Sequence, residues 1–158
     1  MKQFIMALAA LSWTSSAHKL RLSDCYDGTP VFQMPSDDVT LAVLKNNKVS
    51  KIHESYQDKD FQWVKHSMMA DKPKFVVFFS ENCPTCQGMH QDWINLAERL
   101  KDSVNVMAVS RDYNLDALRK LHVSKYPTIR LYKGEGLENF VEYPQTEEGD
   151  ELHEEKFI

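Results

Sequence analysis

Cys83-Pro84-Thr85-Cys86 constrains this chain more than any other stretch. Before it lies Phe75-Val76-Val77-Phe78-Phe79, an apolar run of β-branched and aromatic residues that predicts a buried strand. After it, Met89, Trp93, Leu96, Ala97 and Leu100 recur at helical spacing, with Gln91, Asp92, Asn95 and Glu98 between them. The two cysteines therefore sit where a strand hands over to a helix. The first turn of a helix has unpaired N–H groups and the positive end of the macrodipole. A sulfur held there is stabilised as thiolate, and the thiolate is the nucleophile. Pro84 suits the first helical position, where no N–H is needed. Two intervening residues also let the cysteines close into a disulfide. The functional reading makes Cys83 the exposed nucleophile and Cys86 the buried resolving thiol, against a permanent structural disulfide.

A chain of 158 residues with a net charge of −4 suits one modest globular domain and argues against a nucleic-acid partner. The N-terminus has a three-part pattern. Lys2 precedes Phe4-Ile5-Met6-Ala7-Leu8-Ala9-Ala10-Leu11, and Ser15-Ser16-Ala17 follows. Such a pattern predicts a secretory signal peptide over residues 1–17, too short in its apolar part to span a bilayer. No membrane span is expected after its cleavage. The expected setting is the secretory pathway, in the endoplasmic reticulum lumen or outside the cell, with a bacterial periplasm as the alternative. Disulfides persist in such compartments. Glu155-Lys156-Phe157-Ile158 is not a KDEL-type retrieval signal.

Residues 18–47 read as an N-terminal extension, with turn-like Asp27-Gly28-Thr29-Pro30 and Pro35-Ser36-Asp37-Asp38. A short helix is expected there through Val39, Ala42, Val43 and Leu44, capped by Asp37 or Asp38. Residues 48–158 read as one domain. A strand is expected at 49–52, then a helix marked by Phe61, Val64, Lys65 and Met68. The strand at 75–79 and the long helix follow. Further strands are expected at 104–109 and 128–132, with a short helix through Leu115, Leu118 and Leu121 between them. A turn at 134–136 leads to a hairpin partner at 139–143. The acidic tail from Thr146 is either a final helix or a frayed end. The order β-α-β-α-β-α-β-β predicts an α/β fold with a mixed sheet.

At this point the residues resemble a known family. Strand, CxxC and helix, followed by Val123-Ser124-Lys125-Tyr126-Pro127-Thr128, are similar to the thioredoxin fold, and most closely to the catalytic domains of protein disulfide isomerases. The resemblance implies a central mixed sheet with helices on both faces. It implies that Pro127 is the cis-proline beside the CxxC, and that Tyr126 and Pro127 offer backbone to a substrate strand. Asn82 stands on the substrate-facing side, where the family usually carries Trp. Glu81 agrees with many thioredoxins. Gln91 replaces the helix-kinking proline. The family's buried acid and its lysine neighbour map to Val77 and Ala108, both apolar.

The expected activity is thiol–disulfide exchange with cysteine-containing proteins through Cys83 and Cys86, with an external redox partner and no cofactor. The direction of exchange, and with it a role in protein folding, depends on the reduction potential of the pair. The alternative is a non-catalytic binding or chaperone module with a static disulfide. A zinc reading of Cys83, Cys86 and His90 lacks a fourth ligand nearby, so no metal is expected. Cys25 is expected to be inert and buried, with an intermolecular disulfide or a third redox role as alternatives.

Overall fold

The computed structural model describes residues 21–46 and 72–144. The expected signal peptide, the strand at 49–52, the helix around Phe61 to Met68 and the tail from Thr146 lie outside these residues. A 3-10 turn at Leu22–Tyr26 precedes β1 (Phe32–Gln33) and α1 (Asp37–Lys45). Then come β2 (Lys74–Phe79), α2 (Pro84–Leu100), β3 (Asn105–Ser110), α3 (Leu115–Lys120), β4 (Thr128–Tyr132) and β5 (Phe140–Glu142).

The sheet order is β1-β3-β2-β4-β5. β3 pairs in parallel with β1 and β2; β4 runs antiparallel to β2 and β5. β2 and β3 are buried along their whole length, because helices cover both faces. That accounts for their continuous apolar runs in place of alternation. On one face Val76, Phe78, Met107 and Val109 meet Val39, Val43 and Leu44 of α1 and Leu118 of α3. On the other, Phe75, Val77, Phe79, Val106 and Ala108 meet Met89, Trp93, Leu96 and Ala97 of α2. Each large apolar side chain in these layers contributes about 1.5–3 kcal/mol relative to exposure. Trp93 packs on Phe75 with ring centroids 4.9 Å apart, and its indole N–H donates to the Met107 carbonyl at 3.2 Å.

The residues read as an extension are built into this sheet. Phe32 and Gln33 pair with Met107 and Ala108, so residues before 48 supply the outermost strand among the described residues. A buried polar knot holds them in place. Asn114 donates its amide to the carbonyls of Met34 and Ser110, and Thr40 donates its hydroxyl to Asn114 at 2.6 Å. Asp37 does not cap its own helix. Ser36 holds the N-cap position, and the Asp37 carboxylate accepts from the Ala117 N–H at 2.7 Å, capping the first turn of α3 instead.

α3 ends in a Schellman turn. The N–H of Val123 reaches Leu118 O and that of His122 reaches Arg119 O. His122 takes the left-handed position at φ 57°, where glycine is the usual residue. The hairpin from β4 to β5 turns through Gly136 at φ 96°.

Candidate active site

β2 and β3 both end at the same edge of the sheet, and β4 begins there. Three loops therefore meet. One leads from β2 into the CxxC, one leaves β3 at Arg111, and one brings Tyr126-Pro127 into β4. The backbone N–H of Arg111 donates to Phe79 O at 2.9 Å, which ties the second loop to the first.

Cys83 is the N-cap residue of α2, and Pro84 takes the next position. The Cys86 N–H donates to Cys83 Sγ at 3.2 Å. This is one of the orphan donors of the first helical turn, aimed at the sulfur. A charged acceptor strengthens such a bond, so the geometry favours the Cys83 thiolate. Cys83 is half-buried, whereas Cys86 is 1% exposed within the apolar cluster under α2. The two sulfurs are at bonding distance, with Cα atoms 5.2 Å apart.

Tyr126 O lies 3.5 Å from Cys83 Sγ, and the Tyr126–Pro127 peptide is cis. The Thr128 hydroxyl donates to Lys125 O at 2.6 Å and closes the turn around the proline. Pro127 is half-buried, and Asn82 is exposed in the turn before Cys83. The structure thus brings Cys83, Cys86, Tyr126 and Pro127 together, with Asn82 on their solvent side. His90 does not join them as a ligand; its Nδ1 donates to Gln87 O at 2.6 Å. Among the described residues no group of three or more His, Cys, Asp or Glu side chains could hold a metal ion. Cys25 is free and half-buried, on the 3-10 turn.

Beneath the cysteines, Val77 and Ala108 are register partners across β2 and β3, each 1% exposed. The nearest carboxylate in sequence, Glu81, is already engaged. Ser23 N–H donates to one of its oxygens at 3.1 Å and the Ser110 hydroxyl to the other at 3.3 Å. Glu81 therefore anchors the 3-10 turn at the edge of the site.

Two of these features were not read from the sequence. Glu81 gains partners from Ser23 and Ser110, far apart along the chain. Arg111 belongs to no sequence motif. Its place directly after a parallel strand is the signal that puts it at the edge shared with the CxxC. The Tyr126 hydroxyl is raised above the ordinary phenol range by burial, and the hydrogen bond and charge of Arg111 pull it back.

Residues 53–155 match the family model described as Thioredoxin. Over 74 residues the chain is 35% identical to a thioredoxin domain-containing protein of Theileria parva, which covers 43% of this chain and 34% of that protein. Over 76 residues it is 26% identical to an uncharacterised protein of Schizosaccharomyces pombe, covering 48% of this chain and 10% of the other. The chain thus spans about a third or less of the length of these relatives. Full-length ERdj5 superposes with a TM-score of 0.53 at 18% identity, over 75% of this chain and 14% of that one, and shows the fold.

Proposed function

This chain belongs to the thioredoxin family, and from that premise we propose that it exchanges thiols and disulfides with cysteine-containing proteins, in the manner of a protein disulfide isomerase domain. The observation that carries the reading is the N-cap sulfur. Cys83 Sγ accepts the Cys86 N–H, stands at bonding distance from Cys86 Sγ and lies beside the Tyr126 carbonyl.

The reaction starts from the dithiol. Cys83 thiolate attacks one sulfur of a substrate disulfide; that S–S bond breaks, and the other substrate sulfur leaves as thiolate and takes up a proton. Cys86 then loses its proton and attacks the Cys83 sulfur. The second substrate sulfur departs, the protein holds a Cys83–Cys86 disulfide, and the substrate has gained two electrons and two protons. An external dithiol or disulfide partner resets the pair. Run backwards, the same steps oxidise a substrate dithiol. The loop at Tyr126 and Pro127 offers backbone against which an extended substrate segment can pair, with Asn82 at its border. The N-terminal pattern at residues 1–17 supports a secretory setting, where protein disulfides are the available substrates.

Insulin reduction with dithiothreitol as donor tests the proposal. The wild type should shorten the lag before turbidity, and Cys83→Ser should not. Equal lags for both proteins and for buffer would leave a static disulfide in a binding module. The apolar pair Val77 and Ala108 favours that second reading, since the resembled enzymes carry charged residues there.

A further inference from the structure

Resting on the exchange reading, we propose that Arg111 makes this site selective for substrate disulfides flanked by carboxylates. Arg111 follows β3 at the edge where Cys83 and Tyr126 meet, its N–H bonded to the end of β2. The residue is exposed, and its positive charge acts on the Tyr126 hydroxyl. Tyr126 in turn places its carbonyl 3.5 Å from the Cys83 sulfur. A substrate segment lying along the Tyr126-Pro127 loop therefore passes a cation within a side chain's length of its reacting cysteine.

The carboxylates around Arg111 are committed elsewhere. Asp112 pairs with Arg21 at 2.9 Å, and both oxygens of Glu81 accept hydrogen bonds from Ser23 and Ser110. Among the described residues, no ion pair is formed to Arg111. A planar guanidinium with donors to spare matches a carboxylate in two-point geometry. The chain as a whole carries a net charge of −4, which repels acidic peptides at long range. A preference for acidic substrates can therefore arise only from a local cation. Lys125, exposed and next to Tyr126, is the other candidate at this edge.

The test uses the prereduced protein and three homodimeric peptide disulfides that differ only at the positions flanking cysteine: Glu, Gln or Lys. Rates from stopped flow are divided by those of dithiothreitol with the same peptide, which removes intrinsic reactivity. The wild type should favour Glu over Gln by roughly three- to tenfold at low ionic strength, and less at high salt. Arg111→Gln should bring the ratio to about one, Arg111→Lys should keep it above one, and Arg111→Glu should invert it, by the same charge pairing. Lys125→Gln should leave the preference in place. Partial misfolding scales all three rates alike and cannot mimic these ratios. Equal rates for all peptides, or a preference that survives Arg111→Gln or vanishes in Lys125→Gln, overturn this inference alone. No exchange with any peptide overturns the exchange reading and this inference with it.

Discussion

Val77→Asp should speed the resolving half of the reaction while lowering stability. Val77 and Ala108 face each other across β2 and β3, both 1% exposed. They share one apolar cluster with Cys86, Phe79, Met89, Trp93 and Ile129. The fully buried polar side chains among the described residues include no carboxylate. In the family this chain resembles, an acid at the position of Val77 is the proton acceptor for the second cysteine. Here nothing in the cluster can. A free thiol is only about 3% ionised at pH 7, and each unit that burial adds to its pKa lowers that fraction tenfold. Cys83 escapes this limit, because the Cys86 N–H supports its thiolate. Attack should therefore be fast and resolution slow.

The substitution removes two buried methyl groups, about 1.5 kcal/mol, and buries a carboxyl without a partner, about 1–3 kcal/mol more. Against a typical total of about 5–15 kcal/mol the variant stays folded. Val77→Asn has the same shape and a similar burial cost but no base. Rapid mixing of reduced protein with a peptide disulfide, quenched by alkylation, separates mixed disulfide from closed product. Val77→Asp should raise the resolving rate roughly ten- to hundredfold, toward the lower range of general-base effects. Val77→Asn should not raise it. The reasoning fails if the wild-type mixed disulfide already vanishes within the mixing time at pH 7, or if both variants accelerate equally.

With Cys86→Ser, substrate should accumulate as a mixed disulfide through Cys83, identified by peptide mass mapping; trapping through Cys86 in Cys83→Ser would reverse the roles. His122→Gly should stabilise the fold by about 0.5–1 kcal/mol, read as a higher urea midpoint, because it relieves the left-handed Cβ at φ 57°. Burial first, then the charges of Cys25 and Glu81, raises the Tyr26 hydroxyl above its ordinary range. The fold thus favours the neutral phenol, and stability is fully present below about pH 10 and lost as pH rises beyond it. Tyr26→Phe should make that alkaline decline shallower in urea titrations; Tyr126 and Tyr132, also raised by burial, leave a remainder.

What was legible in the sequence is what local physics decides. The apolar runs that became β2 and β3 are buried on both faces, so each residue adds to the signal. The CxxC announces its own place at a helix start, and Tyr126-Pro127-Thr128 lies in a recognisable register. β1 was not legible. Only Phe32 and Gln33 enter the ladder, between Pro30 and Pro35, and their partners Met107 and Ala108 lie far along the chain. No periodicity survives in two residues. Asp37 showed a cap but not whose cap, since Ala117 comes to it only after folding. The contacts of Arg111 and Glu81 were not legible for the same reason: their neighbours at the site come from three separate loops.

The central claim is that Cys83 and Cys86 form a working redox couple and not a fixed crosslink. Equilibration of the protein in glutathione buffers of graded potential, followed by alkylation and mass analysis of both cysteines, tests it most directly. A working couple should titrate reversibly as a two-electron step, within the span of about −270 to −120 mV covered by exchange enzymes. A pair that stays oxidised to below about −300 mV would behave as a structural disulfide and contradict the account.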